Sequence, residues 1–196
     1  MVGFQDEVWW SRVAQPRMHA WTEVGQPLRL QEFEPDKRTK KGKKKDPDPT
    51  ALCCYGLLRD DTQQMLLRFV QGRAVSHVTT AYLEWVCQLM AEEGKRVLVL
   101  IWDNASWHIS REVMGWIRAH NRAVLADRRE GRVGVQLIPC FLPSKSPWLN
   151  SIEPKWVHGK RAVVEPAAKL SAQVLAQRIC DYYGSDHLEY LKQHVS

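Results

Sequence analysis

Three acidic residues stand where an open sheet would gather them. Asp103 follows an apolar run, Val97 to Trp102, in the stretch LIWDNASWHIS. Sites in open α/β sheets form beyond the carboxyl ends of strands, although an acid there can also serve only to satisfy free N–H groups at a helix start. Asp6 lies in MVGFQDEVWW. If that stretch alternates as a strand, Asp6 shares a face with Val2, Phe4, Val8 and Trp10, and Glu7 falls on the polar face with Gln5 and Trp9. An unpaired carboxylate on an apolar face is costly unless it takes up a proton, and a bound cation removes that cost. Glu153 follows Ser151, read as a helix N-cap, with Pro154 tolerated in the first turn. The helix dipole is then expected to keep Glu153 ionised. Three acids together form an oxygen-only ligand set of the kind that suits Mg²⁺ or Mn²⁺ rather than zinc. Two such ions about 3.5–4 Å apart can serve phosphodiester chemistry, one at the attacking oxygen and one at the leaving oxygen.

The elements that must position these acids follow from periodicity. The N-terminal stretch reads as a strand, AWTEVGQPLRL as a second with a turn at Gly25–Pro27, and residues 52–60 and 64–70 as a third and fourth, the third weakened by Gly56. A helix capped by Ser76 is predicted to run to about Glu93, where Gly94 stops it. RVLVLIW is continuously apolar, as in a central strand buried on both faces. A helix then reaches to about Leu125, with Ile109, Val113, Trp116, Ile117 and Val124 on one side, followed by a charged loop, DRREGR. VGVQLIPCFLP is another buried strand, broken at Pro139 and Pro143. A helix begins near Ser151, and a last one covers roughly 171–183. A strand meander followed by right-handed crossovers gives an α/β mixed central sheet flanked by helices, an RNase H-like (retroviral-integrase-like) fold in one domain over residues 1–196.

Composition narrows the classes. At 196 residues, 44% apolar and with nine Trp, the chain can bury a substantial core. No stretch approaches the roughly 18–20 apolar residues that span a membrane, so no membrane partner is expected. No secretory leader precedes the fold, and a cytoplasmic location is expected. Five Cys without a C-x-x-C pair speak against structural zinc or a disulfide framework and read as buried small apolar residues. The net charge is +6, but KRTKKGKKK (37–45) holds seven basic residues, so the remainder carries −1. This basic, Pro-containing loop (37–49) includes Lys40, Lys41, Lys43, Lys44 and Lys45 and can attract phosphates, or can be a solvated loop.

Three motifs resemble those of DDE-type transposases of the mariner-like superfamily and its bacterial insertion-sequence relatives. FQDE with Trp21 downstream is similar to the first-acid motif, LIWDNASWH to the second, and LPSKSPWLNSIEPKW to the third, which is long and specific. The resemblance spans Asp6–Trp156. It implies Asp6, Asp103 and Glu153 as catalytic metal ligands for Mg²⁺ or Mn²⁺. It also implies double-stranded DNA as partner: cleavage at element ends, then attack of a 3′-hydroxyl on target DNA. Cutting two ends calls for more than one subunit, so a homodimer on DNA is expected, at the nucleoid of a bacterium. Asn104 and His108 match motif positions and are candidates for positioning a ligand or phosphate. Ser146, Asn150 and Trp156 match too and are read as shaping the turn and packing the helix. Lys155, Lys160 and Arg161 are candidate DNA contacts.

The chain also departs from the family. No helix-turn-helix module precedes the core, which points to a separate helix-turn-helix polypeptide or to a truncated remnant that binds DNA without transposing. An RNase H-like metal nuclease is a further alternative. The Asp103–Glu153 interval of 49 residues is long, with ADRREGRVG as its insertion, and Lys145 and Ser151 replace the usual Tyr and Pro.

Overall fold

The computed structural model describes residues 1–12, 46–163 and 170–192, and between the first two spans only the backbone of two short strands, β2 (His19–Ala20) and β3 (Leu28–Arg29). These two pair antiparallel. The basic run with Lys40, Lys41, Lys43, Lys44 and Lys45, Trp21, and the turn at Gly25–Pro27 lie outside the described residues.

The main sheet has six strands: β1 (Val2–Ser11), β4 (Ala51–Arg59), β5 (Met65–Gln71), β6 (Val97–Trp102), β7 (Gln136–Phe141) and β8 (Leu191–Lys192). Their order is β7-β6-β1-β4-β5-β8. β1, β4 and β5 form an antiparallel meander, whereas β6 joins β1 and β7 joins β6 in parallel. The mixed sheet expected from the element order is therefore present; β8, parallel to β5, is an addition.

Two apolar layers hold the sheet. On one face Cys53, Tyr55 and Leu57 of β4 join Leu98, Leu100 and Trp102 of β6 under helices α1 (Ser76–Glu92) and α2 (Arg111–Arg129). On the other face Val8 and Trp10 join Leu52, Cys54 and Leu58 under helices α3 (Glu153–Ala162) and α4 (Ala172–Tyr183). Successive residues of β4 thus feed opposite cores, which is why LCCYGLL is apolar throughout. β6 was expected to be equally buried on both faces. Only Leu98, Leu100 and Trp102 are fully buried, because α3 and α4 sit over β1, β4 and β5 and leave Val99 and Ile101 partly open.

Other boundaries differ for local reasons. Ser76 is the first helical residue of α1 rather than its cap, and its Oγ donates to Ser110 Oγ at 2.9 Å. Ser110 is the true cap of α2, accepting from the Val113 amide at 3.1 Å, and Ile109 lies outside the helix, exposed. α2 continues beyond Leu125 because Arg128 and Arg129 suit its C-terminal dipole, and it stops before Gly131 at φ +79°. Pro139 does not break β7: this is an edge strand, where a missing N–H can face outward. Ser151 does not cap α3; Ile152 holds that position without a side-chain bond. Ser171 does cap α4, accepting from the Val174 amide. Cys53, Cys54, Cys87 and Cys180 are buried, but Cys140 is exposed on the β7 edge. Among the described residues, no helix is long and apolar enough to cross a membrane.

Candidate active site

Strand register brings the first two acids level. The last parallel pair of β1 and β6 is Phe4–Ile101. Two residues further along each chain stand Asp6 and Asp103. Beyond Phe4 the two strands no longer pair, so β1 continues past the carboxyl end of β6 and a gap opens between them. Three side chains fix its rim. Asn104 Nδ2 donates to the Leu142 carbonyl at 2.6 Å, tying the ends of β6 and β7 together. Asn150, 2% exposed, donates to the Gln5 carbonyl at 3.2 Å and pins the turn before α3 onto β1. Trp156 Nε1 then donates to Asp6 Oδ2 at 3.0 Å.

Glu153 is the first residue of α3 and is the point where two clefts of about 310 and 340 Å³ meet. One cleft is lined by Asp103, Asn104 and the 142–147 loop, the other by Asp6, Trp9, Val157 and Lys160. Lys160 therefore faces the acids. Lys155 and Arg161 lie on the same helix but line neither cleft; Lys155 instead offers its carbonyl to Tyr183 Oη at 2.7 Å.

Gly56 pairs with Asp6 across β1 and β4. A Cβ there would collide with the Trp156 ring and come within 3.2 Å of Ile152 Cδ1. The glycine that weakens β4 on propensity is what lets Trp156 reach Asp6.

The acids act on one another. Burial, then the charges of Glu7 and Glu153, with a smaller push from Asp103, raise Asp6 from 3.8 to about 8, against a lowering bond from the Glu7 backbone. Burial and Asp103 raise Glu153 as well, while Lys160 pulls it down. Burial and a neighbouring acid thus act on Glu153 against the helix dipole that favours its ionised form. Asp103 is held below the usual carboxylate range by its hydrogen bond from His108, despite some desolvation.

His108 is fully buried and stacks on Trp102 at 4.5 Å. Its Nδ1 meets Asp103 Oδ1 at 2.8 Å and its Nε2 meets Glu7 Oε1 at 3.0 Å. Burial alone would lower its pKa, but the bonds to Asp103 and Glu7 prevail and raise it to about 9. Only an imidazolium donates from both nitrogens. Glu7 does not lie on a polar face, as its strand position suggested. Its side chain is 5% exposed and also accepts from Trp107 Nε1 at 3.0 Å and Gln5 Nε2 at 2.8 Å. The sequence offered one signal for it, a second acid directly after Asp6.

Among the described residues, no group of three His, Cys, Asp or Glu side chains is drawn together as a compact metal cage. Asp6 and Asp103 line two clefts that share Glu153, and the acids' charges raise Asp6 and Glu153.

A sequence model of the family described as DDE superfamily endonuclease matches residues 1–173. No curated protein matches the chain. Among solved structures, the Mos1 transposase paired-end complex with left transposon end is similar at TM-score 0.61 and 14% identity over 95% of this chain and 48% of that one. The Mos1 mariner paired end complex with Mn gives 0.57 and 13% over the same shares. The Mos1 Strand Transfer Complex gives 0.56 and 14%, again over 95% and 48%. These likenesses establish the RNase H-like fold expected from the sequence. The chain spans about half the length of the proteins in those structures.

Proposed function

Because the chain belongs to the DDE superfamily endonucleases, we propose that it is a transposase catalytic domain. On this reading it cuts double-stranded DNA at the ends of a mobile element and joins the freed 3′-hydroxyl to target DNA. The observation that carries this is the register: Asp6 and Asp103 stand two residues beyond the last β1–β6 pair, with Glu153 opposite.

The donor set fits the implied metal. All three side chains supply oxygen, and a carboxylate raised to about 8 by burial and by neighbouring charges is relieved by a cation. Asp6, Asp103 and Glu153 would hold Mg²⁺ or Mn²⁺, two ions for phosphodiester chemistry, and one similar structure, a mariner paired end complex with Mn, accords with that. Bound there, divalent ions would activate the attacking oxygen and offset charge on the leaving one. The protein's own part is placement. Asn104 and Asn150 fix the rim, Trp156 orients Asp6, and Lys160 brings a positive charge to the cleft. Half-exposed Trp9 gives that cleft an aromatic wall. Lys155 and Arg161 add positive charge along the same helix, and the seven basic residues of 37–45 add charge that a phosphate backbone would attract. Working on two element ends calls for a homodimer, with end recognition supplied by a helix-turn-helix segment or a separate polypeptide. The site of action is chromosomal DNA, in a bacterial nucleoid.

Pre-cut and uncut element-like duplexes incubated with plasmid target and Mn²⁺ test this. The expectation is joined product from wild type and none from Glu153→Gln. Nicking without joining would replace transposition by hydrolysis, and equal DNA binding without either reaction would identify a remnant. Replacing the seven basic residues of 37–45 should flatten the salt dependence of DNA binding by several units of slope.

A further inference from the structure

The carboxylate that follows Asp6 belongs to none of the three ligands, yet its side chain is only 5% exposed. Glu7 sits next to Asp6 on β1 and points to the opposite side of the strand. There both of its oxygens are taken: Oε2 accepts from Trp107 Nε1, and Oε1 meets Gln5 Nε2 and His108 Nε2. The other nitrogen of the same ring, Nδ1, meets Asp103 Oδ1. That oxygen also accepts from the Ala105 amide at 2.9 Å. Asp103 Oδ1 is thus fixed twice, while Oδ2 has no protein partner among the described residues, in a side chain that is 54% exposed. The His108 ring cannot swing away, because Trp102 stacks against it at an interplanar angle of 18°.

We propose that Glu7 is a positioning residue, which through the wedged His108 ring locks Asp103 with Oδ1 inward and Oδ2 presented to the metal. This rests on the metal-site reading above and extends it by one residue, with Trp107 and Gln5 holding Glu7 in turn. A ligand held by such a chain of contacts is pre-organised, so less order is lost when a cation arrives. A carboxylate in the core for stability alone would need no chain of bonds ending on an exposed acid.

Calorimetric Mn²⁺ titration of the whole chain tests this, with the melting temperature of each variant measured alongside. Asp103→Asn should abolish binding. Glu7→Leu should weaken it about 10–100-fold, the usual range for losing a residue that orients a ligand. Glu7→Gln, whose amide can still bond His108 Nε2, should stay within about 3-fold of wild type. If Glu7→Leu binds as wild type while Asp103→Asn does not, Glu7 has no positioning role and the metal site stands. Affinity that falls only in step with melting temperature, equally in Gln and Leu, overturns it as well. A wild-type chain that takes up no Mn²⁺ overturns both the metal site and the role of Glu7. If Glu7→Leu does not fold, Trp107→Phe carries the test: it removes one anchor of Glu7 and should weaken Mn²⁺ several-fold, and unchanged affinity would overturn the proposal.

Discussion

Asp6 shows what the site costs the free protein. With its folded pKa near 8 and an ordinary value of 3.8, the folded chain keeps a proton that the unfolded chain has released. Unfolding therefore becomes easier as pH rises through that interval. His108 acts in the same direction: raised to about 9, it contributes stability that is full below about 6.5 and lost as pH rises through 9. In metal-free buffer, wild type should lose melting temperature from pH 4 to 9. Asp6→Asn should flatten the pH 4–8 part and melt higher than wild type at pH 8, by about 1–2 kcal/mol or about 2–8 °C. Parallel curves for the two proteins would show that Asp6 is not held protonated by burial. The alternation of MVGFQDEVWW made Asp6 legible in the sequence, because its face is otherwise apolar. Glu7 was not legible, because its partners Trp107 and His108 lie 100 and 101 residues away. Strand parity sends Glu7 to the opposite face, and nothing local shows that this face is closed by another segment.

At the level of elements, the site depends on how closely α3 approaches β1 and β4. Gly56 admits the Trp156 ring, and Gly159 does the same for Tyr183, whose hydroxyl would collide with a Cβ at that position. Trp10, Trp156 and Tyr183 meet edge to face at 5.7–6.3 Å, so the helix is seated by aromatic contacts. Gly56→Ala should displace Trp156 and cost about 1–3 kcal/mol through overpacking. It should also reduce DNA cleavage by more than that stability loss explains, because Asp6 loses its indole partner. A variant with wild-type melting and cleavage would mean that α3 has slack on the sheet. Most elements were readable from periodicity, and their ends were not. Ser76 and Ser151 have the chemistry of caps but each sits one residue off the capping position. Pro139 reads as a break until the sheet order makes β7 an edge.

Over the whole molecule, a mixed sheet with a helix pair on each face carries three distant segments to one gap. Between Asp103 and Glu153 lie 49 residues, and Asn150 returns the motif around Glu153 to β1. That return was not visible in the residues themselves. The sequence supplied three acids with separate local explanations, and topology made them neighbours. The most direct test of the shared metal site is an anomalous scattering map from crystals of the full chain grown with Mn²⁺. The prediction is a peak within bonding distance of carboxylate oxygens from Asp6, Asp103 and Glu153, absent in Asp103→Asn. Manganese bound elsewhere, or a gap holding none while the three carboxylates stay ordered, would contradict it.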